Sequence, residues 1–281
     1  MNVGECRRSL AERFRKAGFD CAGTEADYIV EEVLSLPHAE LFLHSRRLVS
    51  AGELSRMESF LERRLKNEPF QYIFGWTAFR EIRLHVAPGV LIPRPETEEL
   101  VDLVLKNLPR GALLCELGAG SGAISLSVAF ERPDVTVLGS EISPKALAIA
   151  EENRKNLQLE NVSFFQGDLF APFAGKRFHA VTANLPYIPW REKESLPPNV
   201  RDYEPEEALF ADDDGFALIR RAVLESPFFL VKDSPCALVF ELGEDHAARA
   251  LEAAEETGFF TSYRVEKDLF GVPRFLCACR N

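Results

Sequence analysis

The sequence predicts an α/β fold, a doubly wound, mostly parallel seven-stranded sheet, preceded by a small helical domain and a β-hairpin. Three observations lead to this prediction. From residue 111 onward, short β-rich runs alternate with helical patterns, as in parallel sheets covered by helices. Residues 1–67 show only helical periodicity, and residues 68–93 hold β-rich runs around turn signals. The length of 281 residues suits about two domains.

Composition and charge exclude several classes of protein. Hydrophobic residues make up 46% and charged residues 27% of the chain, which is typical of a folded domain. The formal net charge is −11, and residues 1–67 are neutral, so the rest of the chain carries it all. A negative body disfavours tight nucleic-acid binding and suits a cationic ligand. The longest run without a charge, Leu117 to Phe130, falls short of the ~20 apolar residues of a membrane helix.

The N-terminal segment and the cysteines indicate a cytoplasmic protein. The first residues lack the apolar core of a secretory signal. The six cysteines show no Cys-x-x-Cys spacing, so a zinc site is not expected. We therefore predict that they are small buried hydrophobic residues in a reducing compartment.

Residues 1–67 are predicted to form a helical bundle. Thr24 followed by Asp27, and Ser50 followed by Glu53, are typical helix starts. Apolar residues recur with a helical period after each of these signals. The sequence leaves open whether this bundle is a structural cap or recognises a partner.

Residues 68–93 are predicted to form a β-hairpin linker between two domains. Gln71 to Trp76 and Glu81 to Val86 are β-rich, and Ala87 to Gly89 is a turn signal. The next domain spans residues 94–281. Its first helix is expected to begin after Pro95, because proline fits the first turn of a helix and not its interior.

The domain at residues 94–281 contains the alternating pattern. Its predicted strands are 113–117, 135–140, 162–165, 179–183, 236–240, 259–265 and 274–279. Predicted helices start near residue 122 and cover 144–156, 215–224 and 245–256. Because such sheets bind ligands at the carboxyl ends of their strands, the residues that follow the strands form the candidate site.

A glycine-rich loop follows the first predicted strand. It consists of Glu116, Leu117, Gly118, Ala119, Gly120, Ser121 and Gly122. Alternate glycines let the backbone turn tightly and approach a ligand closely. Dinucleotide-binding loops have a different glycine spacing, and their anionic pyrophosphate would gain nothing from the preceding acid. S-adenosylmethionine carries a cationic amino group and a sulfonium and has no phosphate, so the loop favours this cofactor.

Acidic residues also follow the second and third predicted strands. Glu141 can accept hydrogen bonds from both hydroxyls of a ribose. Asp168 can accept from an adenine amino group, and Leu169 can pack on the ring. Taken alone, Glu141 is more typical of a solvated acid at a helix start before Pro144, and Asp168 also fits an ordinary turn. The order of the three signals along the chain favours an S-adenosylmethionine-dependent methyltransferase.

The fourth predicted strand runs into Asn184, Leu185, Pro186 and Tyr187. The Asn184 side-chain carbonyl and the Leu185 backbone carbonyl can accept the two hydrogens of a planar NH₂ group. Tyr187 can stack on that group. Positioning and exclusion of water then supply most of the acceleration, and neither a metal nor a dedicated base is required.

These motifs and several others resemble the HemK/PrmC family, the peptide chain release factor glutamine methyltransferases. The matching stretches are Glu68 to Gly75, Val90 to Glu98, Tyr203 to Pro205, Ala208 to Leu209, Asp214 to Gly215, and Lys267 to Asp268 with Gly271 and Arg274. The resemblance covers nearly the whole chain. It implies the class I S-adenosylmethionine-dependent methyltransferase fold and methylation of the glutamine in a Gly-Gly-Gln motif, with S-adenosylhomocysteine as the second product.

The resemblance also implies roles for individual residues. Glu116 and residues Gly118 to Gly122 would hold the methionine part of the cofactor, Glu141 the ribose, and Asp168 and Leu169 the adenine. The substrate glutamine would lie on Asn184, Leu185, Pro186 and Tyr187, with Asn184 and Tyr187 catalytic and Asn184 also near the cofactor. The helical domain would help to grip class 1 release factors. We expect a monomer that binds neither membranes nor nucleic acid directly.

The chain departs from the family pattern at two positions. Leu185 replaces the first proline of the usual Asn-Pro-Pro-Tyr, which removes some rigidity but keeps the backbone carbonyl. Glu141 stands where aspartate is more usual, which keeps the carboxylate and adds one methylene.

Three other functions compete with this interpretation. Asn-Leu-Pro-Tyr also resembles the motif of ribosomal RNA adenine dimethylases, and DNA adenine methyltransferases solve the same hydrogen-bonding problem after flipping the base. Adenine N6-methylation of ribosomal RNA or DNA is therefore the alternative activity, although the charge of −11 opposes it. A non-catalytic cofactor-binding protein is a second alternative. A NAD-dependent oxidoreductase is a third, and the glycine spacing disfavours it.

Overall fold

The computed structural model describes residues 1–280, and the chain divides into two compact units. The first unit is Met1–Phe74, and the second begins at Gly75. This division lies later than the predicted boundary at residue 67. In residues 1–280, no helix is both long and apolar enough to cross a membrane.

The first unit consists of five helices. These are α1 (Val3–Lys16), α2 (Ala22–Leu34), α3 (His38–Leu43), α4 (Ala51–Arg64) and α5 (Phe70–Phe74). Helices α1 and α4 begin with capping boxes, formed by Asn2 with Glu5 and by Ser50 with Glu53, as predicted for Ser50. Val3, Phe14, Ile29 and Leu61 belong to the single apolar core on which the helices pack.

Helix α2 does not begin where the sequence predicted. Thr24 lies inside the helix, and the N-cap is Cys21. The amide of Glu25 donates to the carbonyl of Cys21 at 3.0 Å, so the first turn closes before Thr24 can cap it. The predicted cap at Thr24 is therefore wrong.

The β-rich run from Gln71 to Trp76 is mostly helical. The amides of Tyr72 and Ile73 both donate to the carbonyl of Pro69, which starts α5. The rings of Phe70 and Phe74, four residues apart, stack with centroids 5.1 Å from each other. Such i, i+4 contacts stabilise a helical turn and here override the β-propensity of the aromatic residues. The prediction of a strand at 71–76 is therefore wrong.

The second unit begins with a hairpin and continues as an alternating α/β chain. The hairpin strands are β1 (Trp76–Phe79) and β2 (Ile82–His85), followed by α6 (Glu96–Asn107). Next come β3 (Leu113–Leu117), α7 (Ala123–Glu131), β4 (Thr136–Glu141), α8 (Pro144–Asn156), β5 (Val162–Gln166) and β6 (Ala180–Ala183). The next segment holds β7 (Ile188–Pro189), α9 (Pro198–Arg201), α10 (Glu206–Leu209) and β8 (Phe210–Ala211). The chain continues with α11 (Ala217–Glu225), β9 (Cys236–Glu241), α12 (Ala247–Glu256), β10 (Ser262–Lys267) and β11 (Pro273–Arg280).

Seven of these strands form one sheet in the order β10-β11-β9-β6-β3-β4-β5. The pairs from β9 through β5 are parallel, and β11 pairs antiparallel with both β9 and β10. The predicted doubly wound, mostly parallel seven-stranded sheet is confirmed. Strand order reverses between β3 and β6, and the crevice at such a switch point is where ligands of these sheets bind.

The sixth strand of the sheet begins at Ser262 rather than at residue 259. Phe259 and Phe260 are buried in the loop before β10, so their apolar character reflects core packing and not strand pairing. The cysteines are free thiols and are buried at positions 6, 115, 236 and 277. Cys279 is half-buried and Cys21 is exposed, so the prediction of burial fails at Cys21.

Candidate cofactor and substrate site

A cavity of about 270 Å³ is lined by residues that follow β3, β4, β5 and β6. Most of the residues predicted for the cofactor and the substrate line it: Glu116, Gly118, Ala119, Gly120, Ser121, Glu141, Asp168, Leu169, Asn184, Leu185 and Pro186. Residues from four separate stretches of sequence thus meet in one cavity. This is the arrangement expected at the carboxyl edge of a doubly wound sheet.

Two predicted site residues do not line this cavity. Gly122 is the N-cap of α7 with a positive φ of 82° and serves the turn into the helix. Tyr187 is half-buried against the core cluster of the sheet, and its ring lies against Gly243. Burial and the nearby charge of Glu241 raise the pKa of Tyr187 to about 12, so its hydroxyl stays neutral.

The glycine-rich loop lies close to the loop Asn184 to Tyr187, which is predicted to bind the substrate and is named the substrate loop. Gly118 has a positive φ of 70°, and a Cβ built there would lie 3.0 Å from a Leu185 methyl carbon. The Ala119 amide donates to the carbonyl of Ser140 at 2.9 Å, which ties the loop to β4. Glycine at 118 therefore meets both a backbone requirement and a space requirement.

Glu116 is buried, and its carboxyl group is not fully available to a ligand. One oxygen, Oε2, accepts from the Ser125 amide at 2.9 Å and from the Ser125 hydroxyl. Burial raises the pKa of Glu116 to about 8, against the opposing effect of these bonds. The carboxyl group is therefore mostly protonated at pH 7 in the protein alone, and a nearby cation would favour its ionisation.

Glu141 is held in place by the backbone on both sides. Its Oε2 accepts from the Gly120 amide at 2.8 Å, and its Oε1 accepts from the Ser143 amide at 2.8 Å. A carboxylate offers about four acceptor positions, so both oxygens keep capacity for a ligand hydroxyl. The same side chain thus fixes the glycine-rich loop and faces the cavity.

The two residues predicted to contact adenine, Asp168 and Leu169, differ in their surroundings. Asp168 is exposed, and its carboxylate pairs with Arg221, a partner that the sequence did not indicate. Leu169 is buried and has a positive φ of 46°, which is uncommon for a residue other than glycine. Leu169 lines the cavity wall.

The Asn184 side chain is oriented by a partner that the sequence did not predict. Its Nδ2 donates to the Thr97 hydroxyl at 3.1 Å, and that hydroxyl donates to Glu241 Oε2 at 2.8 Å. The backbone of the substrate loop also packs closely against Gly215. Gly215 has a positive φ of 84°, and a Cβ built there would collide with the Tyr187 carbonyl.

The segment before α6 and the first turn of α6 form one wall of the cavity, and the sequence analysis did not assign these residues to the site. Val90, Leu91, Pro93, Arg94 and Thr97 all line it. Buried Glu204 holds this wall by accepting from the Ile92 amide at 3.0 Å and from Arg94 at 2.7 Å. Glu204 and its two partners lie in stretches that resemble the family, Tyr203 to Pro205 and Val90 to Glu98. This resemblance was the only sequence feature that could have indicated the wall.

The electrostatics of the cavity favour a ligand that carries positive charge. Four acidic side chains line it, Glu116, Glu141, Asp168 and Glu207, against one arginine, Arg94. Glu116 is mostly protonated in the protein alone, and Asp168 is paired with Arg221. Arg94 is engaged by Glu204. A small cationic ligand with hydroxyl groups fits these partners better than an anionic one.

Solved structures with a similar architecture include methyltransferases. The catalytic domain of hMettl16, solved with an RNA hairpin, matches with a TM-score of 0.57 at 12% identity, over 82% of this chain and 80% of that one. The T. thermophilus 16S rRNA methyltransferase RsmC, solved with AdoMet and guanosine, matches with a TM-score of 0.50 at 17% identity. That match covers 73% of this chain and 49% of RsmC. At these identities the likeness shows the fold alone, the class I S-adenosylmethionine-dependent methyltransferase fold.

Sequence comparisons identify the family. Residues 5–75 match the PrmC N-terminal domain, and residues 110–223 match a methyltransferase domain. Release factor glutamine methyltransferase from Coxiella burnetii is 36% identical over 91% of each chain. The Geobacter sulfurreducens protein of the same name is 35% identical over 95% of this chain and 92% of its own. The one from Mycolicibacterium smegmatis is 38% identical over 81% of this chain and 80% of its own. The chain therefore belongs to the release factor glutamine methyltransferase family.

Proposed function

We propose that this protein transfers a methyl group from S-adenosylmethionine to the side-chain amide nitrogen of glutamine in the Gly-Gly-Gln motif of class 1 peptide chain release factors. The observation that carries the proposal is the orientation of Asn184 beside the cavity. Its amide NH₂ is engaged by Thr97, so its carbonyl oxygen is left to accept from an NH₂ group. Membership of the release factor glutamine methyltransferase family supports a release factor as the substrate.

The residues around the cavity fit S-adenosylmethionine, which supplies an electrophilic methyl group on a sulfonium sulfur. Gly118 leaves space that a Cβ would fill, next to the buried acid Glu116. Glu141 keeps acceptor capacity for ribose hydroxyls, and Asp168 and Leu169 lie at the next strand end for the adenine. Residues Ala119 to Ser121 complete the wall on the methionine side, and Gly122 shapes the turn behind it.

The substrate loop acts by positioning. The Asn184 side-chain oxygen and the Leu185 backbone carbonyl would accept the two hydrogens of the glutamine NH₂, directing its nitrogen at the methyl group. The bound cofactor would supply the methyl group, and the amide nitrogen would lose one of its two hydrogens as a proton when it is methylated. Pro186 limits the loop conformation. Neutral Tyr187 would present a ring face to the planar amide, which requires a rotation away from Gly243.

The same proposal extends to partners and location. Residues 1–74 would contribute to release factor recognition; the match of residues 5–75 to the PrmC N-terminal domain supports this role. Translation factors act in the cytoplasm, so the enzyme would work there. It would act as a monomer without binding nucleic acid directly.

Adenine N6-methylation is the less favoured function. The 16S rRNA methyltransferase RsmC and the hMettl16 catalytic domain, solved with an RNA hairpin, share only 17% and 12% identity with this chain. The relatives that match 91% and 95% of this chain are named for glutamine methylation. The net charge of −11 also opposes a polyanionic substrate.

A peptide-level experiment tests this proposal. The protein and S-adenosylmethionine are incubated with an unmodified release factor or with its Gly-Gly-Ala variant, and the peptides are sequenced by mass spectrometry. We expect one added methyl group on the glutamine and none on the variant. Asn184→Ala should abolish transfer while cofactor affinity stays within about tenfold, because Asn184 acts mainly by alignment. A methyl group on another residue, or normal transfer by Asn184→Ala, would overturn the assignment.

A further inference from the structure

Three side chains from distant parts of the sequence form a hydrogen-bond chain that leads from the cavity wall into the protein interior. Asn184 Nδ2 donates to Thr97 Oγ1 at 3.1 Å, and Thr97 Oγ1 donates to Glu241 Oε2 at 2.8 Å. Thr97 and Glu241 are 3% and 1% exposed, so water does not compete for these bonds. Asn184 follows β6, Thr97 lies in the first turn of α6, and Glu241 ends β9.

The donor and acceptor roles in this hydrogen-bond chain are fixed by the chemistry of its three side chains. An ionised carboxylate only accepts hydrogen bonds, so the single hydroxyl hydrogen of Thr97 must point to Glu241. The Thr97 oxygen can then only accept, and its partner on Asn184 must be the NH₂ group. The two ends of an amide have nearly the same shape, so sterics alone would not choose between them.

We propose that Thr97 and Glu241 are positioning residues that hold the Asn184 amide with its oxygen toward the cavity. The role in substrate binding rests on the proposed function, whereas the orientation itself is a property of the protein alone. An Asn184 flipped about its side-chain bond would present NH₂ to the NH₂ of the glutamine, donor against donor. These two hydrogen bonds therefore fix which end of the Asn184 amide faces the cavity, so that the side chain acts there only as an acceptor.

The ionisation of Glu241 decides whether this direction is maintained. Burial raises the pKa of Glu241 to about 7, and the hydrogen bond from Thr97 opposes that increase. Among the charged groups that face it, Arg274 on β11 and Arg94 before α6 favour the carboxylate, and Glu96 on α6 disfavours it. Tyr187 also faces Glu241 and remains neutral. A protonated Glu241 can donate to Thr97, which frees the Thr97 hydrogen to bind the wrong end of Asn184.

The orientation is tested directly by hydrogen exchange of the Asn184 side-chain amide, measured by nuclear magnetic resonance on the full-length protein without substrate. We expect one slowly exchanging Asn184 N–H in the wild type, because it is bonded to buried Thr97. Thr97→Val keeps the shape of the side chain but removes the acceptor, so the slow exchange should disappear. Thr97→Ser keeps the hydroxyl and should retain it. Slow exchange that persists in Thr97→Val would overturn the proposal.

Turnover provides the second measurement. At saturating substrates, Thr97→Val should lower kcat roughly tenfold to a hundredfold, with cofactor affinity by calorimetry within about twofold. Thr97→Ser should restore kcat to within about threefold. In the wild type, kcat should fall as pH drops through about 7, and this fall should vanish in Thr97→Val, where Glu241 is disconnected from Asn184.

Thr182→Val is the matched control. Thr182 is also fully buried, and its hydroxyl bonds to the Val239 carbonyl in the same sheet, outside the chain of three. It should keep the wild-type kcat and pH profile. Equal losses of kcat in Thr97→Ser and Thr97→Val would show a packing role and overturn the proposal. Slow Asn184 exchange without any methyl transfer to a release factor would instead overturn the proposed function and leave the orientation standing.

Discussion

Burial sets the behaviour of individual acidic residues around the cavity. Glu116 and Glu241 are each 1% exposed, and burial raises their pKa values to about 8 and about 7. Exposed Asp168 instead pairs with Arg221 at the surface. Burial therefore leaves a mostly protonated carboxyl group at Glu116, whereas the carboxylate of Asp168 forms an ion pair at the surface.

The raised pKa of Glu116 predicts how stability depends on pH. The unfolded chain ionises this group above its ordinary value of 4.5, whereas the folded protein keeps it protonated up to about pH 8. The folded state then binds more protons, so the free energy of unfolding falls as pH rises from about 5 to 8. Glu241 acts with the same sign up to about pH 7.

Thermal melts of the protein without cofactor at pH 5, 6, 7 and 8 measure this effect. Glu116→Gln cannot ionise, so its melting temperature should decline less over this range than that of the wild type. Glu160→Gln, at an exposed position outside the cavity, should keep the wild-type decline. A decline in Glu116→Gln as steep as in the wild type would refute the role of Glu116.

At the residue scale, the sequence predicts the residues that line the cavity better than the residues that hold those side chains in position. Asn184 and Glu141 could be found because each follows a recognisable strand. Thr97 and Glu241 could not be paired, because the bonds join residues 87 and 144 positions apart along the chain. Such contacts depend on the order in which the strands pair in the sheet, and local sequence patterns do not specify that order.

At the scale of elements, local hydrogen bonding decides where helices begin. The capping box at Ser50 was predictable from Ser50 and Glu53 alone, because both bonds lie within one turn. Residues 70–74 show the limit of such prediction, since aromatic β-formers there form a helix through the Phe70–Phe74 stack and Pro69. Helix α2 starts at Ala22 because Cys21, and not Thr24, accepts its first bond.

The cap at Ser50 should contribute measurably to the stability of the N-terminal unit. Ser50→Ala removes the side-chain acceptor for the Glu53 amide, now 3.2 Å away, and should cost about 1 kcal/mol of unfolding free energy. The measurement is urea unfolding followed by circular dichroism. Ser55→Ala, at an exposed position inside the same helix, is the matched control and should change stability by less than about 0.5 kcal/mol. Equal effects of the two substitutions would contradict the capping role.

At the scale of the whole molecule, the alternation of strands and helices was enough to predict the seven-stranded sheet. Each predicted strand is a short apolar run bounded by turns, and the parallel arrangement follows from the intervening helices. The segment between β6 and α11 was not predictable, because its short elements, such as β7 and β8, pair over only two residues. That segment nevertheless supplies Glu204, which fixes one wall of the site.

The cavity and the family assignment together make one claim: a glutamine amide, and not an adenine, is the methyl acceptor. The most direct test is competition in a single tube. An unmodified release factor and ribosomal RNA are mixed with the protein and labelled S-adenosylmethionine, and the label in each is counted after separation. We predict label on the release factor, none on the RNA, and none on a Gly-Gly-Ala release factor. Label on the RNA and not on the release factor would contradict the account and assign the Asn184 loop to adenine.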